Sequence, residues 1–173
     1  MAVTELVAQI SGELDSKAYE VSDTLARIGT EEVVEEMIKL LSHENSDSKF
    51  LAARTLGKIK NNEAGLAPLL EAIQNKENSV IAGDLFMMLE DFDLSSKYVE
   101  IFKHFLNGSF KVSTQAKDLL DHKEFDITPR VIRKAKKHWE HYSNNVKQDE
   151  LYDLRKIEVN EMLEDLEAYL KEE

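Results

Sequence analysis

The chain contains no cysteine, so it has no disulfide framework, no thiolate zinc site and no cysteine nucleophile. Its 173 residues include two prolines and six glycines, and few β-branched runs, which leaves little support for a sheet. No run approaches the ~20 apolar residues that a membrane-spanning helix requires. The N-terminal stretch MAVTELVAQISGELDS lacks a basic n-region and carries Glu5 inside its only apolar segment. It reads as a first helix rather than a signal peptide, and the expected location is cytoplasmic. GxSxG, GxxxxGK[ST] and HExxH are absent, and the glycines are scattered singly, so nothing cradles a phosphate or arms a nucleophile. The expectation is a non-enzyme with no cofactor.

Positive charge is also scarce. The formal net charge is −12, spread unevenly: residues 1–127 carry a net −10, 128–148 a net +5 and 149–173 a net −7. An acidic body repels nucleic-acid backbones and steers basic protein partners toward it. Nucleic acid is therefore a disfavoured partner, and another protein, basic in one version, is the expected one.

What the sequence has in quantity is a recurring helical pattern. SKFLAARTLGKI at 48–59 returns at steps of about thirty residues. The shifts that align it superpose Leu25, Leu56, Phe86 and Ala116; Ile28, Ile59, Leu89 and Leu119; Val21, Ala52, Ala82 and Val112; and Tyr19, Phe50, Val80 and Phe110. These four columns are expected to be the core. Each copy follows a second apolar run at steps of three and four, for example Val33, Val34, Met37, Ile38 and Leu41, so the unit is a helix pair. The spacing predicts helices over 2–13, 17–28, 31–42, 48–60, 63–75, 79–91, 95–107 and 110–121. Thr30, Asn62 and Asp93 stand at expected N-caps, and Gly29 and Gly108 at expected stops.

TLARIG at 24–29, AARTLGKI at 52–59 and GLAPLLEAI at 65–73 resemble the paired helices of HEAT-like repeats, the kind also found in phycobilisome-lyase-type proteins. The resemblance covers about 15–122, and Pro68 lies where that family often carries a proline in its first helix. The family's arginine near the start of the second helix is matched only by Lys49, so no Asp–Arg ladder between repeats is expected. The resemblance implies an all-α solenoid (α-α superhelix) of about five antiparallel helix pairs. Four degenerate pairs would occupy 1–127 and a divergent pair 128–173, in a single domain.

The resemblance further implies that the second helices line a concave face. The ladders across it would be Asp23, Arg54, Asp84 and Thr114; Arg27, Lys58, Met88 and Asp118; and Glu20, Leu51, Ile81 and Lys111. Leu51, Ile81, Leu85 and Met88 are apolar outside the core columns; they form either a docking patch or a set buried between turns. The protein-binding set is thus Asp23, Arg27, Leu51, Arg54, Lys58, Ile81, Asp84, Leu85 and Met88.

Past Phe125 a new helix opens at Thr128-Pro129 with the apolar stripe Val131, Ala135, Trp139, Tyr142 and Val146. Arg130, Arg133, Lys134 and Lys137 lie on its other side. They are read either as partners for Asp153, Glu158, Glu161 and Asp165 of the last helix, or as a contact for an acidic partner or nucleic acid. His138 and His141 have a spacing compatible with metal, but no third ligand accompanies them and no metal is expected. The functional expectation is a non-catalytic protein-interaction module using the concave face. The alternatives are an acidic inhibitor of a basic protein, a weak nucleic-acid binder through 130–137, and a lyase-like chaperone for a small ligand. Oligomeric state is not legible from these residues.

Overall fold

The structure is a computed structural model that describes residues 1–172. Ten α-helices occupy those residues, with no strand among them. They fall into two compact units, Met1–Asp93 and the part from Leu94 onward. The division comes after Asp93 rather than after 127, because the seventh helix packs on both the eighth and the ninth.

The first unit holds α1 (Val3–Ile10), α2 (Ala18–Ile28), α3 (Glu31–Leu40), α4 (Ser46–Lys58), α5 (Glu63–Gln74) and α6 (Ala82–Met87). Successive helices pair, α1 with α2, α3 with α4 and α5 with α6. In addition α1, α3 and α5 touch in turn, as do α2, α4 and α6, which gives the two-layer stack of a solenoid. Leu25, Leu56 and Phe86 are fully buried at its centre, with Val21, Ala52, Ile59 and Leu89 also inside. Ile28 is the exception in its column and is exposed.

The fourth column behaves otherwise. Tyr19 is 56% exposed and Val80 93% exposed, while Phe50 is half-buried; Phe110, its counterpart in the second unit, is 89% exposed. The reason is angular. At about 100° per residue, Tyr19 lies some 160° around α2 from Val21, so the two columns cannot share a core face.

Local chemistry sets the helix ends. The Asn45 side chain accepts from the backbone N–H groups of Asp47 (2.8 Å) and Ser48 (3.1 Å), and so starts α4 two residues before the expected 48. Gly29 ends α2 at φ 54°, the left-handed conformation that glycine adopts freely. Asn62 and Thr30 occupy N-cap positions without giving a side-chain cap bond. Asn62 turns inward instead, its Nδ2 donating to the carbonyls of Gly57 and Asp91, each at 3.1 Å. The expected helix over 79–91 is broken. After a 3-10 turn at Lys76–Asn78, a turn over 79–81, the short α6 and a second 3-10 turn at Met88–Asp91 replace it. Buried Asn78 accounts for part of this, since its Nδ2 donates to Ala72 O (2.9 Å) while its Oδ1 accepts from Lys49 Nζ (2.6 Å). Lys49 thereby ties the second pair to the third from the position where the family carries arginine.

The second unit holds α7 (Tyr98–Asn107), α8 (Phe110–His122), α9 (Pro129–Asn145) and α10 (Glu150–Glu172). α7 starts at Tyr98 with Lys97 as its N-cap residue, so Asp93 does not cap it. The Thr128 hydroxyl accepts from Val131 N–H at 3.2 Å with Pro129 following, as the sequence predicts. Ile101, Phe102, Phe105, Ala116 and Ala135 form the core. Arg155 of α10 fastens it. Its guanidinium lies 4.1 Å from the Phe105 ring centroid and donates to Phe105 O and, at 3.0 Å, to Ser113 Oγ.

Candidate functional site

In the first unit the repeated surface is built by α2 and α4. Asp23 Oδ1 accepts from Lys58 Nζ at 2.7 Å and from Arg54 Nη2 at 2.9 Å. A single Asp–Arg contact between successive repeats is therefore present, not a ladder, and its arginine stands five residues after Lys49, the family position. The carboxyl of Asp23 is held below the usual aspartate value, first by the Lys58 hydrogen bond and then by Arg54, against the opposing effect of desolvation. With Asp23 and Lys58 both substantially exposed, the pairs fix geometry more than they stabilise the fold.

Behind this pair runs a buried relay. Arg54 Nη1 donates to Ser22 Oγ (2.7 Å), which lies 2.9 Å from Thr55 Oγ1, and Thr55 donates to Leu51 O (2.7 Å). Thr55 has one proton and spends it on Leu51, so Ser22 must donate to Thr55. Arg54 also lies 5.1 Å from the Tyr19 ring centroid, and Tyr19 meets Phe50 edge-on with centroids 6.5 Å apart. The side chain that reads Asp23 is thus locked from two sides. Arg27 bonds within its own helix, to Asp23 O (3.4 Å) and Thr24 Oγ1 (3.1 Å). An open groove of about 730 Å³ lies beside the network, lined by Asp23, Arg27, Gly57, Lys58, Lys60 and Asp91.

The nine residues expected to bind protein thus divide. Asp23, Arg27, Arg54 and Lys58 share one face. Asp84, Ile81 and Met88 are half-buried on or beside α6, where the 3-10 turns interrupt the ladder. Leu51 and Leu85 are fully buried and cannot dock anything. α4 is the central helix of the unit, flanked by α2, α3 and α6, so an unusually wide arc of it is covered. Sequence reasoning missed the outward-facing Tyr19, Phe50 and Val80; their offset from Val21 and its counterparts was the available signal.

In the second unit α9 is amphipathic as expected, with Trp139 stacked on Tyr142 (centroids 5.7 Å) and on Tyr152 of α10 (5.8 Å). Arg130, Arg133, Lys134 and Lys137 are all exposed. Among the described residues no ion pair joins these four to Asp153, Glu158, Glu161 or Asp165; Lys136 of α9 pairs with Glu167 of α10, and Glu158 meets Arg155 at 3.8 Å. Asp165 borders a groove with Tyr98, Lys123 and Phe125. His138 has its pKa lowered, first by burial and then by the nearby cations Lys103, His141, Lys137 and Lys134, which marks a locally positive field. Among the described residues no group of three or more His, Asp or Glu side chains is placed to hold a metal, and no helix is long and apolar enough to cross a membrane.

Comparison with known proteins agrees with the stacked pairs of the first unit. A family model for HEAT repeats matches residues 3–90, just over half of the chain, without singling out the lyase-like subgroup. No curated protein and no solved structure matches it. With paired helices stacked in two layers, columns repeating at about thirty residues and a family match over nearly all of the first unit, this chain belongs to the HEAT-repeat family.

Proposed function

We propose that the protein is a non-catalytic interaction module whose first unit binds another protein on the face formed by α2, α4 and the start of α6. The carrying observation is the outward column of Tyr19, Phe50 and Val80, apolar side chains repeated across three helix pairs, with Tyr19 and Val80 in solvent and Phe50 half-buried against Tyr19. An apolar strip beside a pre-positioned charged cluster, Asp23 with Arg54 and Lys58, is the usual anatomy of a docking surface. Arg54 is already ordered by Ser22 and Tyr19, so little rotamer entropy is lost when a partner engages it. HEAT repeats are commonly protein-interaction modules, which supports the same reading. The test compares capture by the wild type with capture by Phe50→Ser combined with Val80→Asp, both shown folded by circular dichroism. A protein captured in near-equal amount by the wild type and lost from the variant is the expected result; equal capture by both contradicts the proposal.

One observation favours a second reading. Arg130, Arg133, Lys134 and Lys137 occur at helical spacing, exposed and unpaired among the described residues, in a segment of net +5. Such a face suits an acidic polypeptide segment better than a nucleic acid, because Trp139 is already stacked between Tyr142 and Tyr152 and offers no free platform for bases. Replacing the four with glutamine should abolish low-salt binding of a poly-glutamate probe, while the wild type should not be retained on RNA. Retention on RNA that the replacement removes would turn this reading toward nucleic acid.

A further inference from the structure

The last helix carries two apolar stripes, and the core takes only one of them. Tyr152, Val159 and Leu163 are buried, whereas Leu151, Leu154 and Ile157 are 76%, 60% and 57% exposed. At about 100° per residue the exposed three fall together on the side of α10 opposite the buried three, along about two turns of helix. Glu150, Glu158, Glu161 and Asp165 fall within the same arc of about 120°, and no Lys or Arg of α10 does; Glu158 is engaged by Arg155, and Asp165 borders a groove with Tyr98 and Lys123. Of the three cations of α10, Arg155 is turned inward onto Phe105 and Ser113, and Lys156 and Lys171 lie outside the arc. Three neighbouring large aliphatic side chains left in solvent, edged by charge of a single sign, differ from the scattered exposed apolar residues of an ordinary surface.

We infer that the outer face of α10 is a docking site for a cationic amphipathic helix of a partner protein. The apolar stripe supplies i, i+3, i+6 anchors for the partner's apolar edge, as in helix-on-groove recognition. The carboxylates meet Lys or Arg side chains flanking that edge. The charge of the whole chain works in the same direction, since a body of net −12 accelerates approach of a cation and repels acidic competitors. A second copy of this chain fits less well: an antiparallel partner α10 centred on Leu154 sets Glu150 against Glu158 of the other copy. The surface lies wholly in the second unit and is independent of the ladder on α2 and α4.

The experiment titrates a fluorescent Leu/Lys amphipathic peptide of about 18 residues into the full-length protein and reads anisotropy. Saturable one-to-one binding is expected for the wild type, and none for a Leu/Glu peptide of the same pattern. Leu151→Ser, Leu154→Ser and Ile157→Ser together should weaken it at least tenfold, about 1.4 kcal/mol. Glu150→Gln, Glu161→Gln and Asp165→Asn together should weaken it several-fold and flatten its salt dependence. Glu31→Gln, Glu32→Gln and Glu35→Gln remove the same charge from α3 and should leave binding unchanged. A loss from the α3 variant equal to that from the α10 variant would reduce the site to a general acidic surface and overturn the inference. Insensitivity to the three serines would do the same. So would a wild-type dimer, seen by sedimentation, that the serines dissociate, because the stripe would then be occupied by a second copy.

Discussion

Replacing Thr55 with valine removes one hydroxyl at a fully buried position and leaves the side-chain shape nearly unchanged. Leu51 O keeps its helical N–H partner, so that end of the relay loses little. The cost falls on Ser22, whose proton then points at a methyl group 33 residues away in sequence and inside the core. An unsatisfied buried donor costs about 1–3 kcal/mol, which for a chain of this size corresponds to a fall of roughly 2–12 °C in Tm. Ser22→Ala removes that donor and also an acceptor of Arg54, so alone it costs a similar amount. In the double variant neither hydroxyl is left unpaired against the other, and the loss should fall short of the sum of the singles by about 1 kcal/mol. Urea unfolding followed by circular dichroism at the helix band is the suitable assay, because the only tryptophan, Trp139, lies in the other unit. Single effects that add to within about 0.5 kcal/mol would refute the relay and with it the locked position of Arg54.

In the second unit, Arg155→Ala should cost about 2 kcal/mol, the scale of hydrogen bonds made by a charged group, read from the urea dependence of Trp139 emission; an unchanged midpoint contradicts the anchoring role. Phe86→Ala and Phe102→Ala, both fully buried, should each cost about 3–5 kcal/mol, whereas Val80→Ala and Phe110→Ala should stay within about 0.5 kcal/mol, a contrast that denaturant midpoints resolve. The folded-state pKa of Asp23 lies below its unfolded value, so its pairing contributes above the ordinary aspartate pKa and is lost as pH falls through the folded one. Carboxyl carbon NMR should show that depressed titration, relaxing upward in Lys58→Gln and less so in Arg54→Gln; an aspartate-like value unaffected by either substitution contradicts the pairing.

Much of the stack was legible because burial leaves a period in the sequence. Leu25, Leu56 and Phe86 stand in register and occupy equivalent sites in the core. Register alone, however, says that positions are equivalent, not which way they face, and the column of Tyr19 and Val80 was misassigned for that reason. Ends were less legible where a polar side chain had a choice. Asn62 could cap α5, but two carbonyls from different segments draw it inward, a long-range competition that no local window contains. The late start of α6 at Ala82 has part of its origin in a similar competition, at Asn78, which Ala72 and Lys49 hold. On the proposed face, the charges of Asp23, Arg54 and Lys58 were visible in two adjacent ladders, while the burial of Leu51 followed from α4 being covered on three sides and that of Leu85 from α6 packing on α4 and α5. In the last helix the exposed Leu151, Leu154 and Ile157 are as apolar as the buried Val159 and Leu163, so composition alone does not say which stripe the core takes.

The central claim, that the outward face of α2 and α4 binds another protein, is tested most directly by site-specific photo-crosslinking in the native lysate. A photoreactive phenylalanine placed at Phe50, and separately at Tyr19, is compared with the same group at Lys39, an exposed position on α3. The account predicts one shared protein adduct from Phe50 and Tyr19 that disappears with Val80→Asp, and none from Lys39. Adducts that are absent from both ladder positions, or identical from all three, would contradict it.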